Sequence, residues 1–357
     1  MEDKLKPENQ KPRTSKKNII LRTVNIVIVA GLGIFLVYYL LRQVNFEDVK
    51  NAFLGMYKPY IIVGLIIMFI GNYFRAYQKK ILIGSARVNM GDLFLVTLVR
   101  NAFNMVLPAR TGELSYVYVL NRKFKFPVEI GVSTLVLVLI FDLVIVFSLI
   151  VISIIIVGIN KFSISSSTII LIAVGLLAIS LLILFYLSKI IGLFIRLLNF
   201  IFIRTRAGRN KFLQYIYGKL VDINTNIEVI QKRKVYWKVY LLALVIRVLK
   251  FTSYYFVIHA ILKPMGYGFK DISFWIILLG TVVAEISAVL PTHALAGFGT
   301  YEGAFALAFV ILGFTKQISI IVGFNYHLII LLFSVILGLI SIIILVMPFY
   351  KVREEKP

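Results

Sequence analysis

The chain has 357 residues, of which 60% are hydrophobic and only 15% charged, with a formal net charge of +23. Soluble domains run nearer half apolar and a quarter charged, so this composition argues against a soluble enzyme. The basic residues gather in short stretches between long apolar runs, a pattern that reads as membrane topology and not as a nucleic-acid footprint.

In chain order, a basic tail (1–18) precedes apolar segments at 19–41, 59–74, 128–158, 168–188, 239–262 and 326–348, each read as a membrane span. Two further segments, 93–121 and 272–314, are interrupted. The run Leu93–Leu107 is too short to cross a hydrocarbon core about 30 Å thick, and it contains Arg100 before the break Pro108-Ala-Arg-Thr-Gly-Glu113. The second segment breaks at Pro291-Thr-His-Ala-Leu-Ala-Gly-Phe-Gly-Thr-Tyr301. Both are therefore predicted to be re-entrant hairpins, with Pro108 and Pro291 at the breaks.

The predicted fold is an all-α polytopic membrane helical bundle of about six full spans plus two re-entrant hairpins. Its order, two spans, a hairpin and one span, occurs in 19–158 and again in 168–348, the second copy carrying a connector at 189–238, and a tail (349–357) follows. Three crossings per copy make the repeat inverted. Paired broken segments in inverted halves point to a transport site near the midplane. Most Lys and Arg fall on the face that holds both tails and the connector. The other face receives Arg42, Lys50, Lys58, Lys161, Lys263, Lys270 and Lys316, so both termini are expected in the cytoplasm. The connector is expected to lie on anionic headgroups.

Each break carries Thr-x-Glu, as Thr111-Gly112-Glu113 and Thr300-Tyr301-Glu302. A Thr N-cap with an acid in the first turn is what a helix start requires. Two such starts facing one interior also direct backbone N–H groups at an anion. Arg110 is a binding candidate because a guanidinium at that depth is expensive; the alternative is a structural pair with Glu113. Arg100 either adds to the same field or satisfies a Glu or carbonyl partner. Gly112, Gly297 and Gly299 permit tight turns and close approach, so the candidate binding set is Arg110, Thr111, Gly112, Glu113, Gly297, Gly299, Thr300 and Glu302. Asp142 and Glu285, embedded acids, are coupling candidates, with pairing to Arg247, Lys250 or backbone groups as the alternative. Glu129 reads as an interfacial first-turn acid, and His293 as a titrating or simply hydrogen-bonded side chain.

The sequence has no cysteine, and its three histidines lack metal-ligand spacing, so neither a metal site nor a cofactor is expected. No phosphate-binding loop or nucleophile elbow is present, and no enzymatic activity is expected.

The stretches Asn101…Leu107-Pro-Ala-Arg-Thr-Gly-Glu113, Gly131-Val-Ser-Thr134…Phe141-Asp142 and Pro291…Gly297-Phe-Gly-Thr-Tyr-Glu302-Gly303 resemble the flippase-like integral membrane family built on the transmembrane region of lysylphosphatidylglycerol synthase. The resemblance covers about residues 20–348. It implies marked positions at Pro108, Arg110, Gly112, Glu113, Gly297, Gly299 and Glu302, a place in the cell membrane, and movement of a polar-headgroup lipid between leaflets. The substrate would be a phospholipid or polyprenyl-phosphate-type lipid. The alternative is a membrane subunit or enzyme of lipid-linked glycan or aminoacyl-phospholipid synthesis, with a separate synthase or glycosyltransferase as partner. Synthase members add a soluble transferase domain, whereas this sequence stops soon after Tyr350, so lysyl transfer is not expected. Members also commonly place an Arg about a turn before the third-span acid. Val138 and Leu139 stand there, which leaves Asp142 without that partner.

Overall fold

The computed structural model describes residue 35 and residues 37–85, 88–108, 111–157, 166–204, 210–287 and 295–347. Among these residues the ordered elements are helical, and five helices are long and apolar enough to cross a membrane. The first predicted span lies mostly outside the described residues. Its described end places Leu40 and Val44 in a cluster with Ala306, Ile320, Ile321 and Phe324.

A short helix, α1 (Phe46–Leu54), is capped by the Asn45 side chain, which accepts from the Glu47 amide. It leads into α2 (Lys58–Ile83), with Pro59 in its first turn and Gly84 ending it at φ 64°, where glycine carries no Cβ penalty. The exposed apolar side chains of α2, among them Ile62, Ile66, Phe69, Ile70 and Tyr73, form a face suited to lipid tails. Its buried positions, Gly64, Gly71, Arg75, Gln78 and Leu82, recur at helical spacing on the other side. That side packs along α8 (Tyr236–Leu262). Gly64 allows the close approach: a Cβ there would stand 2.8 Å from Val257 Cγ2, and Ser253 Oγ donates to the Gly64 carbonyl at 2.7 Å.

The first interrupted segment forms α3 (Met90–Val106) and α4 (Glu113–Phe124). The Asn89 side chain accepts from the Asp92 amide and Asp92 accepts from the Asn89 amide, a reciprocal cap that sets the start of α3. The 30-residue α5 (Val128–Val157) is apolar on every side except for a few buried polar residues, Glu129 and Asp142 among them, and is followed by α6 (Ser166–Arg204) and α7 (Lys211–Lys232). The second interrupted segment forms α9 (Phe274–Ser287) and α10 (Thr300–Ile311), and α11 (Lys316–Val346) closes the described bundle. At 12 to 17 residues, all four hairpin limbs are shorter than a span. The first limb of each pair lies on a long helix from the opposite end of the chain, α3 on α11 and α9 on α5.

Three predicted boundaries are corrected. The span predicted to end at residue 74 continues to Ile83, because Arg75 and Lys79 are buried in the bundle and not in a loop. The span predicted to end at 188 runs on as α6 to Arg204, so the connector begins inside a helix. The last helix starts at Lys316 and not near 326, because Thr315 caps it by accepting from the Ile318 amide. Around the connector, α7 is held against α5 by an ion pair between Lys219 and Glu129, and Arg233 donates to the carbonyls of Ile81 and Leu82 at 2.7 and 2.9 Å. The hydrogen bond to Glu129 pushes Lys219 above the ordinary lysine range. Glu129 is thus a bracing acid.

Candidate functional site

Between α2, α3, α5, α8 and the two hairpins lies a cavity of about 180 Å³. Its central group is Asp142, about 20 Å from either end of α5 at 1.5 Å per residue. Arg75 Nη1 donates to Asp142 Oδ1 and Arg247 Nη2 to Oδ2, both at 2.8 Å. Arg75 also donates to Gln78 at 3.0 Å, whose amide in turn donates to the Val239 carbonyl. The ladder continues through Glu285, which receives Arg247 Nη1 at 3.4 Å and the Lys250 ammonium at 2.5 Å.

A second pair stands at the first hairpin. Arg100 on α3 grips Glu113 at the start of α4 with two parallel donors, Nε to Oε2 at 2.5 Å and Nη2 to Oε1, and Asn104 Nδ2 adds a bond at 2.9 Å. The fork geometry suits a carboxylate or a phosphate equally. Gly112 makes this possible, since a Cβ there would collide with the backbone at Phe103 and Asn104. Gly112→Ala is accordingly expected to destabilise the protein by about 1–3 kcal/mol or more by overpacking, read as a lowered Tm in detergent. An unchanged Tm would show that α3 and α4 do not pack this closely.

The walls hold four cations, Arg75, Arg100, Arg247 and Lys250, against three carboxylates, Glu113, Asp142 and Glu285. Behind them Lys79, fully buried, donates to Thr97 Oγ1 at 3.3 Å and sits 4.2 Å over the Tyr116 ring. Several lining polar atoms, Asn104 Oδ1, Arg247 Nε and Ser334 Oγ, have no hydrogen-bond partner among the described residues. Buried polar groups are normally satisfied, so unpartnered atoms on residues that line a cavity carrying four cations and three carboxylates mark it as polar. Among the described residues no three His, Asp or Glu side chains meet as metal ligands would.

The predicted site residues are distributed unevenly around this cavity. Glu113, Asp142 and Glu285 line it, the last two as members of the arginine ladder. Asp142 does have a guanidinium partner, and in fact two, supplied by α2 and α8 instead of its own helix. Arg110, Pro291 and His293 lie outside the described residues. Neither Thr is an N-cap: Gly112 and Gly299 hold those positions, while Thr111 donates to the Pro108 carbonyl at 2.9 Å and Thr300 to the Gly297 carbonyl at 3.2 Å. Pro108 thus follows the first limb and anchors the turn.

At the second hairpin, Gly297 (φ 71°) and Gly299 (φ 88°) form the turn that glycine alone adopts freely, and the Leu295–Gly297 turn packs on α3. Glu302 is fully buried, accepts from the Gly299 amide at 2.7 Å, and meets His327 Nδ1 at 2.6 Å. The start of α10 is therefore closed by its own acid and does not offer that amide to an anion. From this hairpin the cavity is reached by Glu285 and Tyr301. Arg247 and Lys250 pair with the acids Asp142 and Glu285 as the alternative reading had it, whereas Arg75, Lys79 and His327 stand at the site without having been singled out. The signal for Arg75 and Lys79 was available, since Met68, Gly71, Asn72, Arg75 and Lys79 fall on one helical face.

A bundle of membrane-spanning helices, with two broken helical pairs meeting at a buried, charge-lined cavity, defines the class: a multi-pass α-helical membrane protein. The family model described as "Lysylphosphatidylglycerol synthase TM region" matches residues 23–338, and the chain belongs to that family. A search of curated proteins found no match.

Proposed function

We propose that the protein moves a lipid with an anionic polar headgroup between membrane leaflets, the headgroup passing through the Arg75–Asp142–Arg247 cavity. The observation that carries this reading is the excess of cations over carboxylates among the lining side chains, with polar atoms of lining residues left unpartnered among the described residues. Ionisable side chains inside a bilayer are expensive, and a cluster of seven is retained where it meets a substrate. The exchange of partners between the hairpins and the long helices of the opposite half supports an inverted pair of units rocking about this site. In this reading the protein sits in the cell membrane with both termini cytoplasmic, binds a phospholipid or polyprenyl phosphate, and performs no catalysis itself. A separate synthase or glycosyltransferase would supply the lipid.

The test is leaflet exchange in reconstituted vesicles that carry labelled anionic phospholipid, labelled polyprenyl phosphate or labelled zwitterionic phospholipid. Faster exchange of an anionic lipid than of the zwitterionic one is expected. No acceleration with any headgroup would remove the proposal, and product formation from an added donor would replace it with an enzymatic role.

A further inference from the structure

The acids at the two hairpins are held by cations of different kinds. Glu113 is gripped by Arg100, a guanidinium that stays charged at any pH the protein meets. Glu302 is held by His327, whose charge is optional. Both Glu302 oxygens are engaged, Oε2 accepting from the Gly299 amide and Oε1 sharing a hydrogen bond with His327 Nδ1. At 2.6 Å one proton lies between Oε1 and Nδ1, on either atom, and the second ring nitrogen gives the pair a site for another.

We propose that His327 and Glu302 form a proton-binding latch that holds the second hairpin against α11, and that headgroup binding in the adjacent cavity is linked to proton uptake there. The linkage rests on the reading of that cavity as the headgroup site. With the proton on, the pair is an imidazolium and a carboxylate of zero net charge. Without it, a fully buried carboxylate is left with one neutral donor and one amide, which is the less stable arrangement in a low-dielectric interior.

The surroundings are consistent with a switch of this kind. Tyr301 stacks on the His327 ring at 4.4 Å and Phe298, from the turn, lies at 5.2 Å. Tyr326, beside it on α11, receives the Tyr301 hydroxyl at 3.4 Å. His327 itself lines the cavity, where α8 brings Arg247, Lys250 and Tyr254 and α9 brings Glu285. Across the cavity stand Arg75, Arg100, Glu113 and Asp142. The four cations there oppose a further positive charge, and an anionic headgroup among them relieves that opposition. Anion and proton therefore favour each other's binding, and by linkage the effect is reciprocal.

The chain contains no cysteine, so single cysteines can report the latch directly. Gly303 follows Glu302, and a Cβ there would meet only Leu40 at 3.9 Å, while Leu114 on the first hairpin is well exposed and serves as control. In phosphatidylcholine vesicles, maleimide labelling of Gly303→Cys relative to Leu114→Cys is expected to rise about fivefold between the acid and the alkaline end of a pH series as the latch loosens. The ratio should become flat in His327→Asn, which keeps a donor near the Nδ1 position without titrating, and in Glu302→Gln. A flat ratio with His327 present, or a pH dependence that survives His327→Asn, overturns the latch. In the same vesicles, exchange of a fluorescent anionic phospholipid should share that pH dependence, and exchange that is rapid but indifferent to pH overturns the linkage alone. If the ratio behaves as expected and no lipid exchanges, the headgroup reading fails while the latch stands.

Discussion

Asp142→Asn is expected to lower stability by about 3–5 kcal/mol, the range for breaking one side of a buried ion pair. The carboxylate receives Arg75 and Arg247 at 2.8 Å each, so its neutralisation leaves two guanidiniums facing one another with no charge between them. Gln78 and Glu285 retain one contact each to Arg75 and Arg247, which does not replace the lost charge. Thermal unfolding of the purified protein in detergent is the measurement. The double variant Asp142→Asn, Arg75→Gln should recover part of the loss, because it removes one of the stranded cations. Equal Tm values for the parent protein and Asp142→Asn would show that the ladder is not the centre of the bundle.

Arg247→Lys has the largest expected effect on transport with a small effect on folding. The positive charge is kept, but one ammonium cannot span both Asp142 and Glu285, and the unpartnered Nε–H is lost. Loss of a hydrogen bond to a charged group amounts to about 1.5–3 kcal/mol, so anionic-lipid exchange should fall roughly 10- to 100-fold. Exchange that is unchanged in this variant would mean that the headgroup travels by another path.

Much of the fold was legible because its signals are local. The long apolar run of α5 announces a span within its own thirty residues, and Pro108 and the glycines at 297 and 299 announce breaks within a few positions. The boundary at residue 74 was misread for a physical reason. Hydropathy treats Arg75 and Lys79 as the start of a loop, yet each is acceptable inside the bundle, Arg75 against Asp142 and Gln78, Lys79 against Thr97 and the Tyr116 ring. The Thr-x-Glu signature marked the helix starts at α4 and α10 to within a residue and misassigned the cap, because the glycine before each helix takes that position.

By itself, then, the sequence determined an α-helical membrane protein with two punctured apolar segments and a set of acids and bases too deep to be solvated. Which of those charges meet was decided by the tertiary structure. Arg75 reaches Asp142 across 67 positions and Arg247 reaches it across 105, while Glu113 takes Arg100. A charge in hydrocarbon must be neutralised by whatever opposite charge packing brings within hydrogen-bonding distance, and helix packing, unlike hydropathy, is a property of segments far apart in the chain.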